Sequence, residues 1–161
     1  MSGIALSYNI DLHKVQAMYG ELSRADHVGL LSDIGAYMLS ETQLNFDQEQ
    51  TPEGEAWTDS SRAGKTLQDR GHLRDSYTYN VSLSGESVEI GSNLQYAAIH
   101  HEGGTIKAKN GGYLKFKIGD EWVQVKQVEI PARPALGITP EYEDEIGHLV
   151  NDFYEGIVNG Y

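Results

Sequence analysis

Two short stretches hold side chains with chemical potential. His100-His101-Glu102 sets two imidazoles beside a carboxylate, the ingredients of a zinc or general-base site. A metalloprotease helix needs its histidines one turn apart with the glutamate between them, so that both rings face one metal. Adjacent histidines point apart, and no other His or acid stands at ligand spacing, so the cluster reads as an ordinary structural turn. Gly64-Lys65-Thr66 looks like the end of a phosphate-binding loop. Such a loop opens with a glycine five residues before its second one; Asp59 stands there, an acid repels phosphate, and no strand pattern leads in. Glu53 and Glu55 lie in a polar stretch with nothing to shift their acidity. No serine or threonine sits in a glycine-flanked elbow. The residues offer no catalytic constellation, no metal site and no cofactor site, and the chain is expected not to be an enzyme.

The elements that would carry these residues can be read from periodicity. Ile4, Leu6, Tyr8 and Ile10 alternate with small or polar residues, as in a strand. From Asp11, an N-cap, the period becomes helical through Leu12, Val15, Met18 or Tyr19, and Leu22. A second helix is expected after Asp26, with Leu30 or Leu31, Ile34 and Met38 facing inward, although Gly29 and Gly35 each weaken it by about 1 kcal/mol. Between Asn45 and Ser76 the pattern lapses into a polar segment with isolated Phe46, Trp57, Leu67 and Leu73, expected to be a long loop that is mobile in the free subunit. Trp57 argues against simple disorder there, because a large aromatic needs a packing partner.

Farther on, Tyr77, Tyr79, Val81 and Leu83 alternate with polar residues, Ser84-Gly85 turns, and Val88 and Ile90 return: a β-hairpin. Tyr96–His101 suits a short helix ended by Gly103-Gly104. Leu114, Phe116 and Ile118 alternate with Lys115 and Lys117, and Gly119-Asp120 turns into a strand over Trp122–Val128. Pro131 and Pro134 break the pattern. A last helix begins near Pro140, with Ile146, Val150, Phe153 or Tyr154, and Ile157 on its inner stripe. The expected fold class is α+β: N-terminal helices and a C-terminal helix on a mainly antiparallel sheet, in one domain over residues 1–161.

The formal net charge is −12, from 24 acidic and 12 basic side chains, and there is no cysteine. Disulfides, zinc–thiolate sites and thiol catalysis are thereby excluded. Residues 1–11 lack the basic start and apolar block of a secretory leader, and no apolar run is long enough to cross a bilayer. The charge is uneven. Lys107, Lys109, Lys115, Lys117, Lys126 and Arg133 crowd one stretch, whereas Glu141, Glu143, Asp144, Glu145, Asp152 and Glu155 dominate the C-terminal one. These are either two solvated faces or a subunit with one positive and one negative side.

Four blocks carry a family resemblance. Phe46 followed by Pro52-Glu53-Gly54-Glu55-Ala56-Trp57 is similar to an F…P-x-G-x-x-W signature. Leu67…Gly71-His72-Leu73-Arg74-Asp75-Ser76 is similar to L…x-G-x-L-x-x-S. Gly91 through Gly104, with Tyr96, Ala97, His100 and Gly103, is similar to a G-x-…-Y-A-x-x-H-x-x-G block. Pro131-Ala132-Arg133-Pro134-Ala135-Leu136-Gly137 is similar to P-A-R-P-F-L-G, with Ala135 where Phe is usual. In this order the blocks resemble the Mu-like phage virion morphogenesis (tail completion) family. The stretch between Trp57 and Leu67 is shorter and less basic than in many members.

The resemblance implies a structural protein, made in the bacterial host cytoplasm, that completes the tail at its head-proximal end and readies it for joining the capsid. It implies a homo-oligomeric ring, a hexamer matching a sixfold tail tube, with tail-tube and neck proteins as partners and neither a membrane nor a sequence-specific nucleic acid. The residues expected at interfaces are Trp57, Lys115, Lys117, Arg133, Glu143 and Asp144, the basic and acidic groups meeting between subunits. Arg133, between two prolines, is well placed to offer its guanidinium to a carboxylate. The alternatives are a connector subunit on the capsid side and, from another class, a nucleic-acid binder using the lysine hairpin with Tyr113 and Trp122. The net charge and the lack of a known module stand against the latter.

Overall fold

The computed structural model describes Gly20 and residues 27–60, 64–68 and 70–160. The expected strand at Ile4–Ile10 and the helix starting at Asp11 lie outside these residues. The first long helix, α1 (His27–Gln48), buries Leu30, Gly35, Met38, Thr42 and Asn45 at steps of three to five residues, with Phe46 beside Asn45, one stripe of an α-helix. It runs on past Asn45, where the apolar pattern fades, to Gln48. Its last two turns face inward through polar residues that find partners: Thr42 Oγ1 donates to the Met38 carbonyl at 2.8 Å and Asn45 Nδ2 donates to the Ala135 carbonyl at 3.0 Å.

The helix closes with Glu49 at φ +55°. The Glu49 amide donates to the Phe46 carbonyl and the Gln50 amide to the Asn45 carbonyl, the paired bonds of a Schellman end. Glycine usually takes that left-handed position; here the glutamate stays because its carboxylate accepts from the Thr66 amide at 3.0 Å.

Strands β1 (Tyr77–Val81) and β2 (Val88–Ser92) form the first expected hairpin, antiparallel with Tyr79 opposite Ile90, and lie on α1. A single helical turn, α2 (His72–Asp75), leads into it. The second short helix is α3 (Ala97–Glu102). Beyond it the sheet departs from expectation. Strand β3 (Gly104–Lys107) pairs with β6 (Gln127–Ile130), while β4 (Leu114–Ile118) pairs with β5 (Glu121–Val125). The strand expected over Trp122–Val128 is therefore two strands, divided at Lys126 where the chain leaves β4 for β3. The described strands form three separate two-stranded antiparallel sheets rather than one sheet. Every residue of β3 is exposed, so no burial alternation marks it in the sequence.

The last helix, α4 (Pro140–Asn159), starts where expected. Thr139 caps it, its Oγ1 accepting from the Tyr142 amide, and Pro140 occupies the first helical position. Its apolar stripe through Ile146, Val150, Phe153 and Ile157 is only half-buried, and Tyr142 alone is fully buried. The chain is α+β, with its core around Phe46, Trp57, Leu73, Tyr77, Ala97 and Ala135.

Candidate functional site

The four sequence blocks converge on that core. Phe46, on the last turn of α1, meets the edge of Trp57 at a centroid distance of 5.4 Å and packs on Tyr77 at 5.6 Å. Trp57 reaches this position through a tight reversal. Pro52 sits second in a turn whose fourth residue, Gly54, has φ +82°, and the Gly54 amide donates to the Thr51 carbonyl. Gln50 then bridges Ala56, and the Trp57 amide donates to the Glu49 carbonyl at 2.7 Å. The segment 49–57 is thus a packed arm. The Gly71 backbone, at φ +73°, opens α2 and places Leu73 in the core.

The proline-rich block closes over this arm. Trp57 Nε1 donates to the Pro134 carbonyl at 2.9 Å. Arg133 Nε and Nη2 donate to the carbonyls of Thr58 and Asp59 at 2.8 and 3.1 Å, and the Arg133 amide donates to the His100 carbonyl at 2.8 Å. Gly137 lies so close to Pro52 that a Cβ there would come within 2.7 Å of Pro52 Cγ, and one on Gly103 would meet the Ala132 nitrogen at the same distance. Ala97 is buried below. Ala135, 2 % exposed, lies beside the Phe46–Trp57 cluster, so this small side chain fits a space the two large rings already fill.

Two of the expected interface residues are therefore internal. Trp57 and Arg133 are 6 % and 8 % exposed, and both end on backbone carbonyls of the same chain. Arg133 is not held out toward a carboxylate; the prolines on either side direct it inward to fasten residues 58 and 59. His100 belongs to the same structure. Tyr96 meets its ring edge-on at 6.2 Å, and its Nδ1 is buried with no hydrogen-bond partner among the described residues. Burial, with the Arg133 guanidinium adding to it, pushes the imidazole below its ordinary pKa. Among the described residues no three His, Cys, Asp or Glu side chains gather where they could hold a metal ion.

The remaining four expected interface residues lie outside. Lys115 and Lys117 are exposed on one face of β4, and Lys117 Nζ stands 4.0 Å from Asp120. Trp122, opposite Lys117, is 70 % exposed, and Tyr113 is 57 % exposed. Glu143 and Asp144 are exposed on the first turns of α4. No hydrogen bond or ion pair among the described residues joins these lysines to these acids. Sequence reading did not anticipate Arg74, whose Nε and Nη2 donate to both Asp47 oxygens at 3.0 and 2.9 Å, a fork that ties α2 to the end of α1. The i, i+4 spacing that flags such pairs within one helix is absent here.

The sequence matches the model of the phage virion morphogenesis family over residues 10–154. It is 30 % identical over 155 residues, covering 92 % of this chain and 97 % of the relative, to the Mu-like prophage FluMu G protein 2 of Haemophilus influenzae. No solved structure matches the chain.

Proposed function

The chain belongs to the phage virion morphogenesis family and so serves as a structural protein in building the particle; within that role, we propose that it completes the tail and takes part in head–tail joining, as a closed ring of copies. The observation that supports this reading is the pair of exposed, oppositely charged surfaces, on β4–β5 and on α4, with no hydrogen bond or ion pair between them among the described residues. Two unlike complementary faces are what a head-to-tail contact needs, and rotation closes such contacts into a ring. A ring set on the last turn of a tail would stop its growth and offer the neck a new surface. The family blocks build the fold that holds these surfaces, and none of them forms a reaction centre, so we propose a geometric and not a catalytic role. Six copies would match a sixfold tail tube.

Native mass spectrometry of concentrated protein and imaging of isolated tails test this. The expected result is one closed species, located at the head-proximal end of purified tails. Dispersed monomers in both preparations would overturn the ring, and recovery in capsids without tails would move the protein to the connector.

A further inference from the structure

This chain packs a hairpin aromatic over a helical glycine inside itself. Tyr79 of β1 lies on Gly35 of α1, so close that a Cβ built on Gly35 would come within 2.7 Å of Tyr79 Cγ and 3.0 Å of Val88 on the paired strand. The parts of a second such contact are present and, among the described residues, unused. Gly147 stands in the interior of α4, exposed, and a Cβ there would meet nothing within 4 Å among the described residues. Its φ is not positive. Glycine weakens a helix interior relative to alanine, and neither backbone conformation nor close packing within the described chain calls for it here. The second hairpin supplies the aromatic: Trp122 of β5, exposed and directly opposite Lys117. Lys115 shares that face, since alternate strand residues point the same way. One turn before Gly147, at i−4 and i−3, stand the exposed Glu143 and Asp144.

We propose that Trp122 of one copy seats over Gly147 of a second copy, with Lys115 and Lys117 of the first set against Glu143 and Asp144 of the second. The inference rests on the self-assembly reading above and names its contact surface. Charge complementarity identifies the occupant: the acids flanking Gly147 match the cations flanking Trp122, and no ion pair among the described residues joins the two sets. Exposed ion pairs contribute little individually. A desolvated tryptophan is the residue type that commonly anchors an interface, and the lysines then fix its register. Each copy offers its hairpin to one neighbour and its helix to another, so the contact propagates around a ring.

The test is sedimentation and native mass spectrometry of the full chain and its variants. Trp122→Ala and Gly147→Leu are each expected to weaken association at least about tenfold, with Gly147→Leu melting no lower than wild type because leucine favours the helix. Gly156→Leu, an exposed control farther along α4, is expected to associate like wild type. The charge reversal Lys115→Glu/Lys117→Glu should weaken association, and adding Glu143→Lys/Asp144→Lys should restore it. If wild type associates and Trp122→Ala and Gly147→Leu associate equally well, the contact is overturned and the ring reading survives. Equal losses in Gly147→Leu and Gly156→Leu would overturn the placement on Gly147. A wild-type protein monomeric both at high concentration and in tails overturns contact and ring together.

Discussion

Three polar side chains, on Asn45, Trp57 and Arg133, donate to backbone carbonyls far away in sequence, at Ala135, Pro134, and Thr58 with Asp59. Each bond joins segments that the chain reaches by different routes, so a change at one of them loosens two. Trp57→Phe keeps an aromatic ring but loses the pyrrole half of the indole together with the bond to the Pro134 carbonyl, which alone contributes about 0.5–1.5 kcal/mol. Trp57→Ala also removes the edge contact with Phe46, for a loss of roughly 3–5 kcal/mol. Urea unfolding of both variants checks the ordering, and equal losses would deny the edge contact with Phe46 any share. His100 gives this region a pH dependence. Its folded pKa lies below the ordinary 6.5, so the unfolded chain takes up the proton first as pH falls. Its contribution is complete above about pH 6.5 and is lost as pH drops through and below that value. His100→Gln should flatten the melting temperature between about pH 7 and pH 5. Asp47 and Glu49, held below the usual carboxylate range by the Arg74 side chain and the Thr66 amide, lose their contributions at lower pH and leave that window to His100.

Among the elements, the two long helices each carry a glycine with an opposite demand on space. Gly35→Ala gains about 1 kcal/mol in helix propensity but drives a methyl into Tyr79 and Val88, and overpacking of that kind costs about 1–3 kcal/mol. Gly147→Ala gains the same propensity with nothing in the way. Thermal melts should therefore move in opposite directions, down for Gly35→Ala and up for Gly147→Ala. The same contrast explains what the sequence disclosed. Alternation from Tyr77 to Ile90 and from Leu114 to Ile118 announced two hairpins because one face of each is covered and the other is not. The start of α4 was legible from Thr139, Pro140 and the acids beside them. The end of α1 was not, because Thr42 and Asn45 look like surface residues until Thr42 bonds back to the Met38 carbonyl and Asn45 meets its distant partner at Ala135. Strand β3 was invisible because both its faces are exposed. The recognition blocks could be seen in the sequence, but whether Trp57 and Arg133 faced in or out depended on carbonyls of residues some 75 positions away, which no local pattern encodes.

For the whole molecule, the charge balance bears on how copies meet. With a net charge of −12, two copies repel at long range whichever faces approach. The proposed contact between the basic hairpin and the acidic helix acts only at short range, among a few opposed groups and one indole. Salt treats the two differently. The Debye length falls from about 30 Å at 0.01 M to about 10 Å at 0.1 M, so the first additions of salt remove mainly the repulsion between whole subunits. Pairs in contact, separated by about 4 Å, feel little of that change. At still higher salt the screening length shrinks toward the pair distance and the attraction weakens as well. Association should therefore strengthen from about 0.01 M to about 0.1 M salt and weaken toward about 1 M, and sedimentation across that range measures it. In Lys115→Glu/Lys117→Glu the local attraction becomes repulsion and the net charge grows more negative. Salt should then only strengthen what association remains. A wild-type profile that rises monotonically like that of the reversal would show that these charges stay solvated when copies meet.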